Sequence, residues 1–102
     1  MKKRMKVNDL PTFDPAPYLS SAPAIAAYLT DILAANDAGL LAAALGDIAR
    51  ARGMTEIAKA AGITREALYK ALRPGSEPRL DTVNRVCAAL GVRLVAQPVQ
   101  AA

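Results

Sequence analysis

Arg65, Glu66, Tyr69, Lys70 and then Arg73 fall at intervals that place them along one side of a helix. Their chemistry is hydrogen bonding and charge rather than bond making. Arg65 can bond both acceptor atoms of a guanine edge, Glu66 can accept from a cytosine amine or orient Arg65, and Tyr69 can stack on a thymine methyl or bond a phosphate. Lys70 and Arg73 suit phosphates. Thr64, Thr55 and Arg79 stand close enough in the chain to join them, Thr55 through backbone and hydroxyl at a helix N-terminus. For catalysis the chain offers little. It has no His and one Cys, so the usual general base and the commonest metal ligand are missing, and an intrachain disulfide or a thiolate cluster is ruled out. Its aspartates are nowhere paired at i, i+3 or i+4. The expectation is a protein that is not an enzyme and needs no metal or cofactor.

The elements that must hold this row lie within Met54–Leu72, MTEIAKAAGITREALYKAL. From Thr55 to Ala61, Ile57, Ala58 and Ala61 make a buried helical stripe, with Glu56, Lys59 and Ala60 left for solvent. Gly62 stops this helix, because glycine takes the left-handed conformation common just past a helix end without a steric cost. Ile63 plugs the corner. Thr64 caps a second helix from Arg65 to about Leu72, whose inward stripe is Ala67, Leu68, Ala71 and Leu72. Two short helices crossing steeply need a small residue at closest approach, and Ala58 supplies it. That is a helix-turn-helix, in which the second helix enters the major groove while the first crosses the backbone. A helical hairpin of the same shape without a DNA role is the alternative, since fold does not fix function.

Outside the motif the periodicity is also helical. Ser21 caps a helix in which Pro23 falls in the first turn and Ile25, Tyr28, Leu29, Ile32 and Leu33 form the stripe, ending near Ala35. Asn36 and Asp37 break the pattern and cap the next helix, where Leu41, Ala44, Leu45 and Ile48 repeat it until Gly53. Arg50 and Arg52 suit that helix's C-terminus through the macrodipole, or equally a phosphate contact. Arg73–Arg79 is a turn-rich loop. Leu80 should re-enter the core, and Asp81 should cap a final helix through Leu90, closed by Gly91. Cys87 falls on its stripe with Val83, Val86 and Leu90, as a packing thiol. Val92, Leu94 and Ala96 then alternate with Arg93, Val95 and Gln97 as a short strand before Pro98. Such a strand has no partner within the chain, so a second subunit, the N-terminal arm or water must satisfy it, and a homodimer is expected. The fold class is thus all-α: five helices carrying a helix-turn-helix, with an extended N-terminal arm and a short C-terminal strand. Residues 1–20, which contain Pro11, Pro15 and Pro17, form the arm; 21–97 form the domain, with its motif at 54–72; and 98–102 form a tail.

The chain of 102 residues carries a formal charge of +4, unevenly spread. Met1–Lys6 holds Lys2, Lys3, Arg4 and Lys6. Val7–Ala49 has no Lys or Arg but contains Asp9, Asp14, Asp31, Asp37 and Asp47. From Arg50 onward, nine basic residues face four acidic ones, so positive charge accompanies the helix-turn-helix. No apolar run is long enough to cross a bilayer, and Met1-Lys2-Lys3-Arg4 leads to Asp9, Pro11 and Asp14 rather than to a signal core. A cytoplasmic protein is expected.

The whole arrangement resembles the addiction-module antidote proteins, the HigA-like antitoxins with a lambda-repressor-type helix-turn-helix. The resemblance rests on Phe13-Asp14-Pro15-Ala16-Pro17-Tyr18-Leu19, on Ile25-Ala26-Ala27-Tyr28-Leu29, on Leu45 to Met54 and on Gly62 to Leu72. It implies an antitoxin that silences a small RelE/HigB-like toxin and represses the shared operon. Toxins of that type tend to be basic, and Val7–Ala49 could complement one, with Phe13, Asp14, Tyr18 and Asp31 as candidate toxin contacts. The same aspartates are equally read as caps and solubilising groups. A stand-alone phage-type helix-turn-helix repressor without a toxin partner, and an interaction module that no longer binds DNA, are the other readings.

Overall fold

The computed structural model describes residues 21–99, and every structural statement concerns these; the N-terminal arm, Phe13, Asp14, Tyr18 and residues 100–102 lie outside them. Five helices follow one another: α1 (Ala22–Ala34), α2 (Ala38–Arg52), α3 (Met54–Ala61), α4 (Arg65–Ala71) and α5 (Leu80–Ala89). Three of them start on the side chains expected to cap them. Ser21 Oγ accepts from Ala24 N at 3.3 Å, Asp37 Oδ1 from Leu40 N at 3.1 Å, and Thr64 Oγ1 from Ala67 N at 3.0 Å. Each satisfies a donor that the helix itself leaves free. Asn36, with φ 56°, turns the chain between α1 and α2.

A single residue joins α2 to α3. Gly53 adopts φ 110° and ψ 108°, a region that a residue with a Cβ rarely enters. Its N–H donates to Ala49 O at 2.8 Å and its carbonyl accepts from Ile57 N at 3.0 Å, so it closes one helix while opening the next. At Gly62 (φ 75°, ψ 30°) the expected left-handed cap forms. Gly62 N donates to Lys59 O at 3.2 Å and Ile63 N to Ala58 O at 3.0 Å, paired bonds that satisfy two carbonyls in the last turn of α3. A Cβ on Gly62 would lie 3.2 Å from Arg85 Nη1, the movable end of a long side chain. The cost of Gly62→Ala is therefore mainly conformational, about 1–2 kcal/mol, and should appear as a lower urea midpoint at unchanged m-value.

The core is wholly apolar among the described residues. Ile25 and Leu29 of α1, Leu45, Ile48 and Ala49 of α2, Met54, Ile57 and Ala58 of α3, Leu68 and Leu72, and Val83, Val86, Cys87 and Leu90 form one cluster. Burial pushes the Cys87 thiol pKa up, so it stays protonated and packs as an apolar group. The small Ala58 is buried within this cluster. Leu33, expected on the buried stripe of α1, is exposed.

Two expectations near α5 are corrected. The helix begins at Leu80, not after an Asp81 cap, and its N-cap, Arg79, makes no side-chain cap bond. Asp81 lies in the first turn instead, where a carboxylate favours the helix dipole, and accepts from Arg85 Nε at 3.1 Å. Leu80 is 67% exposed and does not re-enter the core. It continues the stripe of Val83 and Cys87 one turn beyond the point where neighbouring helices remain to cover it.

The C-terminal strand is also absent: no strand forms among the described residues. Every other described element is helical, so residues 92–97 meet no strand edge among the described residues with which to exchange backbone hydrogen bonds. Val92 and Leu94 pack part-buried against the core, while Val95 is 64% exposed and Val99 89%. With Leu29 and Leu33 of α1, this segment borders a cleft of ≈ 370 Å³.

Candidate nucleic-acid interface

α4 is short, and it presents most of its side chains outward. Leu68 is fully buried and Leu72, at the C-cap, nearly so, while Arg65, Glu66, Tyr69 and Lys70 are exposed. Ala67, expected inward, is exposed too, and Ala71 is half-buried. Seven residues give fewer than two full turns, so the inward stripe narrows to the two leucines.

Arg65 and Tyr69 engage each other along this face. The Arg65 guanidinium lies over the tyrosine ring, 5.4 Å from its centroid, and Nη2 donates to the Tyr69 hydroxyl at 3.4 Å. The hydroxyl's acceptance raises the Arg65 pKa above its ordinary value. The ring also restrains it by a cation–π contact. Thr64 spends one acceptor site on the cap and keeps its hydroxyl hydrogen for another partner.

Glu66, Tyr69, Lys70 and Arg73 line one cleft of ≈ 500 Å³, together with Arg50, Met54, Leu72 and Pro74. Lys70 reaches a second cleft of ≈ 270 Å³, which it shares with Ser76, Glu77 and Arg79. Lys70 therefore stands between the end of α4 and the 73–79 loop, and the loop is tied back to α4 by Ser76 Oγ, which donates to Ala71 O at 2.7 Å. Thr55, itself exposed in the first turn of α3, lies outside both clefts; α3 starts with no side-chain cap bond. Of the eight sequence-derived candidates, Glu66, Tyr69, Lys70 and Arg73 gather in one groove, Arg65 adjoins it through Tyr69, and Arg79 joins through Lys70.

Two residues take positions here that local pattern does not fix. Arg50 enters the α4 cleft from α2. Arg85, on α5, donates through Nη1 to Ala61 O at 3.3 Å, clamping the end of α3 across a separation of 24 residues. Neither follows from periodicity, because both depend on how distant helices cross. Asp31, the one toxin-contact candidate within the described residues, is exposed on α1.

The architecture is thus a bundle of five helices in which α3, a three-residue turn and α4 set out a cationic, exposed row. The chain belongs to the family described as "probable addiction module antidote protein", whose model matches residues 9–98. It is 47% identical over 88 residues to a protein of Haemophilus influenzae described as uncharacterized, an alignment covering 86% of this chain and 91% of that one. No solved structure matches the chain. Membership implies an antidote role and, in general, a toxin partner. Among the described residues no helix is long and apolar enough to cross a membrane.

Proposed function

We propose that this antidote is a cytoplasmic, HigA-like antitoxin that neutralises a RelE/HigB-like toxin and represses its own operon by sequence-specific DNA binding, acting as a binding protein rather than an enzyme. The observation that carries the DNA half is the exposed row on α4, Arg65, Glu66, Tyr69 and Lys70, continued by Arg73 and flanked by Arg79. A helix bearing forked and single-point donors on its outer side suits a base-reading helix of the lambda-repressor type, with phosphate contacts at its ends. Residues 92–97, which follow the last helix and meet no strand among the described residues, favour a homodimer joined through that segment. A two-fold dimer would read half-sites ~34–36 Å apart, or a multiple of that. For the toxin, the exposed Asp31 and the acidic stretch before Arg50 offer complementarity to a basic surface.

The test is a gel shift on the DNA upstream of the gene, with and without the co-expressed toxin. Salt-dependent, sequence-selective retardation that changes with toxin supports the reading. Toxin capture without DNA binding would reduce the protein to a pure antidote, and DNA binding without toxin capture would favour the stand-alone repressor. Within the same assay Lys70→Ala should weaken all sequences alike and flatten the dependence of log K on log salt by about one.

A further inference from the structure

Arg50 is positioned by a glycine one turn earlier. Gly46 is buried in α2 at the point where α4 ends: a Cβ there would lie 3.0 Å from the Leu72 carbonyl oxygen and 3.4 Å from Arg50 Nη1. The missing Cβ lets the two helices approach and lets the guanidinium lie across the gap beside Leu72. Asp47 holds it there, accepting from Nη2 at 2.6 Å. One of five N–H donors is thereby engaged, leaving the rest of the fork to other acceptors. The ion pair is half exposed, so its contribution to stability is small. The cleft reached by the guanidinium carries two further cations, Lys70 and Arg73, against one carboxylate, Glu66, and its apolar lining comes from Met54, Leu72 and Pro74. Arg52, two residues on, does not line it, as the spacing of helical side chains dictates.

We propose that Arg50 is a phosphate-binding residue, which with Lys70 and Arg73 grips the DNA backbone at the C-terminal end of α4. The proposal rests on the DNA-binding reading above. In it, α2 supplies part of the interface, and Gly46 and Asp47 act as positioning residues that bring a cation from outside the helix-turn-helix to its reading helix.

Phosphate contacts are independent of sequence, so a fluorescently labelled 20-base-pair duplex of random sequence serves as probe. Anisotropy titrations over a NaCl series would compare the wild-type chain with Arg50→Gln and Arg52→Gln, melting curves confirming that both variants fold. The expected result is a several-fold loss of affinity for Arg50→Gln with a salt slope smaller by about 0.9, while Arg52→Gln keeps the wild-type slope. Wild-type affinity and slope in Arg50→Gln would overturn the proposal while leaving DNA binding intact. Equal losses in the two variants would overturn it as well, assigning the effect to net charge. Absence of salt-dependent binding by the wild-type chain would overturn the DNA-binding reading itself and this proposal with it.

Discussion

Leu68→Ala is expected to destabilise the fold by about 2–5 kcal/mol, the range for truncating a fully buried leucine that leaves a cavity behind. The side chain is 0% exposed and belongs to the central cluster. Against a total stability of ~5–15 kcal/mol for a domain, such a loss is severe. Its local consequence is larger still. A seven-residue helix is too short to persist alone in water, and α4 is anchored by Leu68 and, at its C-cap, Leu72. Removing the first leaves the Thr64 cap and one leucine to hold the outward row in register. Urea unfolding followed by helical circular dichroism checks the global effect, and hydrogen exchange of α4 amides, faster than those of α5, checks the local one. A change below 1 kcal/mol would mean that the site collapses around the smaller side chain.

The same helix shows which features are legible from sequence. Thr64, Gly62 and Ile63 obey rules that act over a few residues, a hydroxyl reaching a nearby N–H or a backbone needing no Cβ, and the structure places each as read. Ser21 and Asp37 are legible for the same reason. Leu80 and residues 92–97 are not, because their fate depends on what lies opposite them. The alternation of Val92 and Leu94 is real, and both side chains pack part-buried against the core, but a ladder requires a second edge, and none lies among the described residues. Arg50 illustrates the limit from the other direction: its position in the last turn of α2 suits a macrodipole partner and a phosphate ligand alike. Only the approach of Leu72 O to Gly46 places it beside Lys70 and Arg73.

Arg65→Ala should have the largest effect on recognition, costing ~1–3 kcal/mol on the preferred operator, or about 5–150-fold in affinity. The argument turns on the Tyr69 contact. An arginine free in solvent must lose rotamer freedom to meet a base, whereas Arg65 is already held over the Tyr69 ring and bonded to its hydroxyl. Spending one N–H on the hydroxyl leaves four of its five donors, enough for the two parallel bonds that a guanine edge accepts. Like any arginine, it stays charged and a donor throughout the working pH range. Tyr69→Phe keeps the ring and loses the hydroxyl, so it should weaken operator binding less than Arg65→Ala does. Competition between operator and random duplex provides the check. Arg65→Ala should lower the operator affinity by more than the random-duplex affinity, reducing the ratio between them. A uniform loss with the ratio preserved would make Arg65 a phosphate ligand, and base reading would then fall to Glu66 and Tyr69.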